Sequence, residues 1–306
     1  MMEIIECIIN ISEGRDKEIV DYVIEAVKQT AGCFLLDYSS DADHNRTVIT
    51  FIGNRPCLKT AIQELYKRAV EKIDLRVHKG EHPRMGAVDV VPFVPIRDVS
   101  MEETIAFSKE IASMISEIYK IPVYLYEDSQ SVAERKNLAA IRKGEFEGLV
   151  DKMKKPEWRP DYGEAVPHTT AGASVVGARM PLIAFNVNLA TADIKIANAI
   201  AKNVRGSSGG LAFVKAMGVE LKERGIVQIS MNMVNYKKSP LFRVFEMIKS
   251  EAARYGVSIV GSEIIGLLPQ DALFETAEYY LRCENFAPTC ILENKINGVL
   301  FQQLPK

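Results

Sequence analysis

Residues 87–94, AVDVVPFV, form a continuous apolar strand pattern. A strand of that kind is buried on both faces, so it belongs in the middle of a sheet that other elements cover. What precedes it alternates between the two secondary-structure periods. Residues 3–11 are a β-branched run suited to a strand, and 15–30 place Ile19, Val23, Ala26 and Val27 at helical spacing. Two further strand patterns occupy 33–38 and 47–52. Pro56 suits the first turn of a helix that continues to Ile73, and the apolar strand comes next. The order is βαββαβ. A helix over 102–119 and a strand over 123–126 extend this half.

Between 154 and 170 the chain carries Pro156, Pro160, Gly163 and Pro167 together with its one tryptophan, Trp158. This stretch reads as an ordered linker or a binding loop, and the boundary between halves should fall just beyond it, giving units 1–178 and 179–306. The second half predicts a strand at 182–189, a helix at 192–203, strands near 214–219 and at 227–234, a helix at 241–255 and a strand at 257–260. That is βαββαβ again, without a repeat at the level of residues. The expected fold is α/β (α+β): two similar βαββαβ-type subdomains, each a mixed β-sheet covered by helices. Two such units side by side leave a cleft, a common place for ligands.

The 306 residues, 47% hydrophobic and 25% charged, suffice for a sizeable core. A net charge of −2 from 38 basic and 40 acidic side chains gives no reason to propose nucleic acid or a membrane as partner. The amino terminus lacks a basic segment, and Glu3 and Glu6 interrupt its apolar run, unlike a signal peptide. No apolar run reaches the roughly 18 residues of a membrane span. A cytoplasmic location is expected. Five cysteines, with no C-x-x-C pair, argue against a disulfide framework or a cysteine-ligated zinc and read mostly as small core residues.

Chemistry concentrates in 78–86, HKGEHPRMG. His78-x-x-Glu81-His82 satisfies the H-x-x-E-H pattern of a zinc peptidase, which works only on a helix, where residues four apart share a face. Gly80 within the pattern and Pro83 after it resist that helix. The stretch can instead be a polar connection with a solvent-facing histidine, or a base held for proton transfer between the cations Lys79 and Arg84. Residues 41–46, DADHNR, are a solvated turn or a second polar wall. Residues 161–172 are a plain linker or a loop that binds an extended ligand through its backbone. RGSSGG at 205–210 lacks both the Lys-Ser/Thr ending of a P-loop and the dinucleotide glycine pattern, so a flexible loop is the better reading.

Taken together, CIINISEGR (7–15), NRTV (45–48), 78–85 with GAVDVVPFVP (86–95), TAGASVVGAR (170–179), AFNVNL (184–189) and GSEIIGLLP (261–269) resemble glutamate formiminotransferase, over residues 3 to 285. The resemblance implies a stand-alone transferase without the cyclodeaminase domain of mammalian members. It implies two α/β subdomains, a homodimer, and transfer of the formimino group from N-formimino-L-glutamate to N5 of tetrahydrofolate in histidine degradation. Tetrahydrofolate is then a co-substrate, and no metal is called for. The family's catalytic histidine falls on His82. Its folate-contacting loop falls on Gly163, Glu164, Ala165, Val166, Pro167, His168, Thr169, Thr170, Ala171 and Gly172. Arg46, Arg84 and Lys79 are the nearest cations for the substrates' carboxylates. Ser39 stands where the family leads one to expect an aspartate, with Asp37, Asp41 and Asp43 nearby, so no acidic partner is assigned to His82. Formyl transfer on the same site and a non-catalytic folate-binding protein are the alternatives.

Overall fold

The computed structural model describes residues 3–303, and the chain divides into two compact units between Arg179 and Met180. In the first, β1 (Ile4–Ile11) alternates buried and half-buried residues, so Ile5, Cys7, Ile9 and Ile11 line one face. Helix α1 (Lys17–Lys28) begins at Asp16, whose carboxylate accepts the N–H groups of Glu18 and Ile19. Strands β2 (Phe34–Asp41) and β3 (Arg46–Gly53) form a hairpin, and α2 (Arg55–Lys72) starts at an Asn54 cap with Pro56 in its first turn. Strand β4 (Val88–Arg97) is buried from Val88 to Val94. A capping box of Ser100 and Glu103 opens α3 (Met101–Tyr119). Then come β5 (Val123–Leu125), the short helices α4 (Leu138–Arg142) and α5 (Leu149–Met153), and β6 (Ser174–Ala178).

The sheet order is β2-β3-β1-β4-β6-β5; the first four strands pair antiparallel, while β6 runs parallel to both its neighbours. One face packs on α1, α2 and α3 through Phe51, Leu58, Tyr66, Phe93 and Ile111. A smaller core on Val90, Tyr124, Tyr126 and Val175 includes Ile141 of α4 and Leu149 and Met153 of α5. Strand β4 therefore has packed cores on both faces, as its apolar run predicts. Strand β6 is an addition that the periodicity does not announce.

The second unit contains β7 (Ile183–Leu189), α6 (Ile194–Val204), β8 (Val214–Leu221), β9 (Ile226–Met233), α7 (Leu241–Arg254) and β10 (Ile259–Ile265). Helices α8 (Gln270–Leu281) and α9 (Leu292–Gln303) follow, beyond the expected pattern. The sheet order β10-β7-β9-β8 repeats the order β4-β1-β3-β2 of the first unit, element for element. Both halves are thus a split βαβ arrangement. The expected mixed sheet is found in the first unit; in the second every pairing among the described residues is antiparallel. The reason is that only the first unit adds strands beyond its fourth, and these pair in parallel. Cys7, Cys33 and Cys57 are buried, Cys283 is half-buried and Cys290 exposed, all as free thiols. No helix among the described residues is long and apolar enough to cross a membrane.

Candidate active site

The loop of residues 78–86 lies over the β2–β3 turn. Glu81 N–H donates to Asp43 O at 3.1 Å, and Asn45 donates from Nδ2 to Lys79 O at 3.0 Å. Asn45 is in the left-handed region, at φ 50°, which asparagine tolerates better than most residues. Gly80 approaches the turn so closely that a Cβ there would lie 2.3 Å from His44 O. The segment is irregular, so the helix that a zinc-peptidase motif needs is missing. His78 is a brace. Its Nδ1 accepts from Arg84 Nε at 3.2 Å, which leaves Nε2 to carry the proton that it donates to Asn45 O at 2.9 Å.

His82 is 8% exposed, and its Nε2 is sealed from solvent without a hydrogen-bond partner among the described residues. The nearest carboxylate oxygen is Asp89 Oδ2, at 3.9 Å. Asp89 reaches this position through a β-bulge: Asn10 pairs with Val90 and Ile11 with Val88, so Asp89 is the extra residue whose side chain the bulge re-aims. It is 1% exposed. Its Oδ1 accepts from the N–H groups of Met85 at 2.7 Å and Gly86 at 3.3 Å, and its Oδ2 from Arg142 through Nε at 2.9 Å and through Nη2. Arg46, at the start of β3, keeps its Nε buried and without a partner among the described residues. Burial and the neighbouring Arg142 hold its guanidinium below the usual value.

These cations act on the imidazole. Burial, then Arg142 and Arg46, then His44 and His78, push the pKa of His82 down to about 3, so its ring is neutral in the free protein at neutral pH. His44 lies alongside, with ring centroids 6.4 Å apart. Asp41 accepts both His44 N–H at 2.9 Å and His44 Nδ1–H at 3.0 Å. Asp41 therefore serves His44, and Asp89 is the acid beside His82. Ser39 is an exposed β2 residue paired with Val48.

Other expected site residues divide. Arg84 is 6% exposed and its fork is filled from within the chain, by Glu147 through two bonds of 2.8 Å and by Glu145 at 3.0 Å. Lys79 is exposed at the rim of the loop. The 163–172 loop has two parts. Gly163, Glu164, Ala165 and Val166 are exposed, and Gly163 and Ala165, with Met153, Lys154, Arg159 and Pro160, border a hollow of about 390 Å³. Residues 168–172 are an anchored turn: His168 and Gly172 exchange backbone bonds of 2.8 and 2.9 Å, and His168 Nδ1 accepts Ala171 N–H at 3.0 Å. Thr170 O and Ala171 O accept the N–H groups of Leu75 and Ala87, which ties the turn to the His82 loop and β4. The space beside Gly172 is filled by Met85 O, Leu75 and Phe146, so a side chain there would meet packed protein. In 205–210, Arg205 Nε donates to Ser208 Oγ, closing the turn on itself.

Sequence reasoning missed Asp89 and Arg142. A signal existed for Asp89, an acid within an apolar strand. Arg142 had none, standing 53 residues further on in a five-residue helix.

Comparison with known proteins bears on the same residues. Residues 4–179 match the family described as formiminotransferase domain, N-terminal subdomain, and residues 184–301 match the formiminotransferase domain. A glutamate formimidoyltransferase of Streptococcus pyogenes serotype M1 is 52% identical over 97% of this chain and 100% of its own length. One from Thermoplasma acidophilum is 44% identical over 96% of this chain and 98% of its own. The formimidoyltransferase-cyclodeaminase of Rattus norvegicus is 40% identical over 92% of this chain but 53% of its own length. With both of its units matched and such identity along its length, this chain belongs to the formiminotransferase domain family.

Proposed function

We propose that the chain transfers the formimino group of N-formimino-L-glutamate to N5 of tetrahydrofolate, releasing 5-formiminotetrahydrofolate and L-glutamate, as a step of histidine degradation. His82 is the general acid and base. The observation that carries this reading is the sealed, unpartnered Nε2 of a neutral imidazole beside two arginines. N5 attacks the formimino carbon, and the tetrahedral intermediate must lose the N5 proton and hand one to the departing glutamate nitrogen. A single neutral imidazole performs both transfers, and the proton count closes without a metal. Tetrahydrofolate is a co-substrate that lies along the exposed arm 163–166, while residues 167–172 hold that arm. Arg46 and Lys79 meet substrate carboxylates; Arg84 shapes the loop. The units 1–178 and 179–306 act as the two subdomains of one cytoplasmic enzyme, a homodimer.

The test is incubation of the purified protein with tetrahydrofolate and N-formimino-L-glutamate, following the folate product by its spectrum. Replacing the donor with N-formyl-L-glutamate separates formyl from formimino transfer, and tight folate binding without turnover indicates a binding protein. His82→Ala should lower kcat by roughly 10²–10⁴-fold with little change in folate affinity. An unaltered kcat removes His82 from the mechanism.

A further inference from the structure

We propose that Arg142 and Arg46 together form a seat for one carboxylate of the glutamate donor, directly beside His82. The inference rests on formimino transfer at His82 and adds to it the residues that select the donor. Arg46 makes no hydrogen bond or ion pair through its guanidinium with any described residue, and its Nε is closed off from water. Arg142 directs Nε and Nη2 at a single oxygen of Asp89, which leaves its Nη1 without a protein acceptor among the described residues. Two forks thus have donors to spare at the same place. Asp89 balances Arg142, and Asp41 is held by His44 with about half its side chain in solvent, where screening weakens it. One positive charge is left in excess inside a largely desolvated cluster. Such a charge is unfavourable until an anion meets it.

A planar carboxylate suits the forks of two arginines better than any other group either substrate carries. Both substrates have carboxylates. Those of folate lie on its glutamyl tail, with the whole aminobenzoyl ring between them and the reacting N5. The donor's α-carboxylate stands two bonds from the nitrogen that leaves. A seat adjoining the base therefore fits the donor.

Filling the seat changes the base as well. The groups that face His82 are Arg46 from β3, His44 from the β2–β3 turn, His78 from its own loop, Asp89 from β4 and Arg142 from α4. Burial is the larger cause of the low basicity of His82, and the open cations add to it; a carboxylate laid across them offsets their charge and raises that basicity. His82 then becomes a better proton acceptor once the donor has arrived.

Three measurements test the seat. In steady-state kinetics Arg142→Gln should raise KM for N-formimino-L-glutamate about tenfold or more, the usual scale for a lost charge-assisted pair, with KM for tetrahydrofolate unchanged. Arg142→Lys should fall between, because it keeps the charge and loses the fork. Product inhibition by L-glutamate should exceed that by L-glutamine or by L-glutamate α-amide, whichever amide removes the seated carboxylate, and Arg142→Gln should erase the difference. By NMR of the His82 ring, L-glutamate should raise its pKa in the wild-type protein. Arg142→Gln should start from a higher value and respond less. Should that variant fail to fold, Arg46→Gln, whose side chain holds no other part of the chain, carries the same three readings. A rise in KM for tetrahydrofolate alone, equal inhibition by glutamate and both amides, or an unmoved His82 resonance overturns the seat. Absence of turnover in the wild type, with His82 still responding to L-glutamate, instead refutes the reaction and leaves the seat standing.

Discussion

Gly172→Ala adds one methyl group, and the surroundings of that methyl determine what it does. Gly172 sits at φ 66°, in the left-handed region, where an L-residue is disfavoured by roughly 1–2 kcal/mol. The new Cβ would lie 2.1 Å from Met85 O and 3.0 Å from both Leu75 Cδ1 and Phe146 Cδ2. Met85 O must retreat by roughly 1 Å to reach an ordinary contact. It is also the acceptor of the 2.9 Å bond from Ala173 N–H, and both residues are fully buried. Leaving that pair unmade costs about 1–3 kcal/mol. The two contributions sum to about 2–5 kcal/mol, which in a unit of this size lowers Tm by roughly 5–20 °C. Thermal unfolding followed by circular dichroism measures the loss, and KM values at low temperature show whether binding suffers. The expected result is a large fall in Tm with both KM values little changed. Unchanged stability with a raised KM for tetrahydrofolate would refute the reasoning, because the glycine would then be making room for ligand.

The low pKa of His82 also gives stability a pH dependence. The unfolded ring takes its proton near pH 6.5 and the folded ring only near 3, so this contribution is complete above 6.5 and is lost as pH falls toward 3. Unfolding free energies from urea titrations across that range should decline, as pH falls, by up to about 1.4 kcal/mol per pH unit more in the wild type than in His82→Gln. Arg84→Met should reduce stability by about 1–2 kcal/mol, since its partners Glu145 and Glu147 are solvent-exposed, while both KM values shift together; a rise for the donor alone would make Arg84 a substrate contact. Ser100→Ala removes the capping box of α3 and should cost about 1 kcal/mol in urea unfolding, with kcat untouched.

The two βαββαβ halves are legible because each element carries its own period. Where they are not legible, the cause is local. Strand β6 is five residues, SVVGA, and its partners β4 and β5 lie far away in the chain, so no nearby alternation marks it. Strand β10 was expected to end at 260, one residue before Gly261. That glycine sits at a register shift against β7, and the strand continues to Ile265. The His82 loop was found because its composition is unusual. Asp89 and Arg142 escaped because their meeting depends on a bulge in one strand and on the placement of a short helix, and neither leaves a periodic trace.

Within the loop itself, composition marks where polar groups gather and geometry tells which of them are already satisfied. His78 and Arg84 look as much like ligand contacts as His82 does. Yet His78 engages Asn45 and Arg84, and Arg84 engages Glu145 and Glu147, so these side chains hold the loop's shape. The buried atoms in the cluster left without partners among the described residues are His82 Nε2 and Arg46 Nε. Each such atom disfavours the folded state by about 1–3 kcal/mol unless something meets it. One is an arginine donor whose charge acts on the imidazole that carries the other, so the cluster is left with polar valences that the described residues do not fill. Under the proposed reaction, the donor's carboxylate would meet the arginine and the N5 proton of the folate the imidazole.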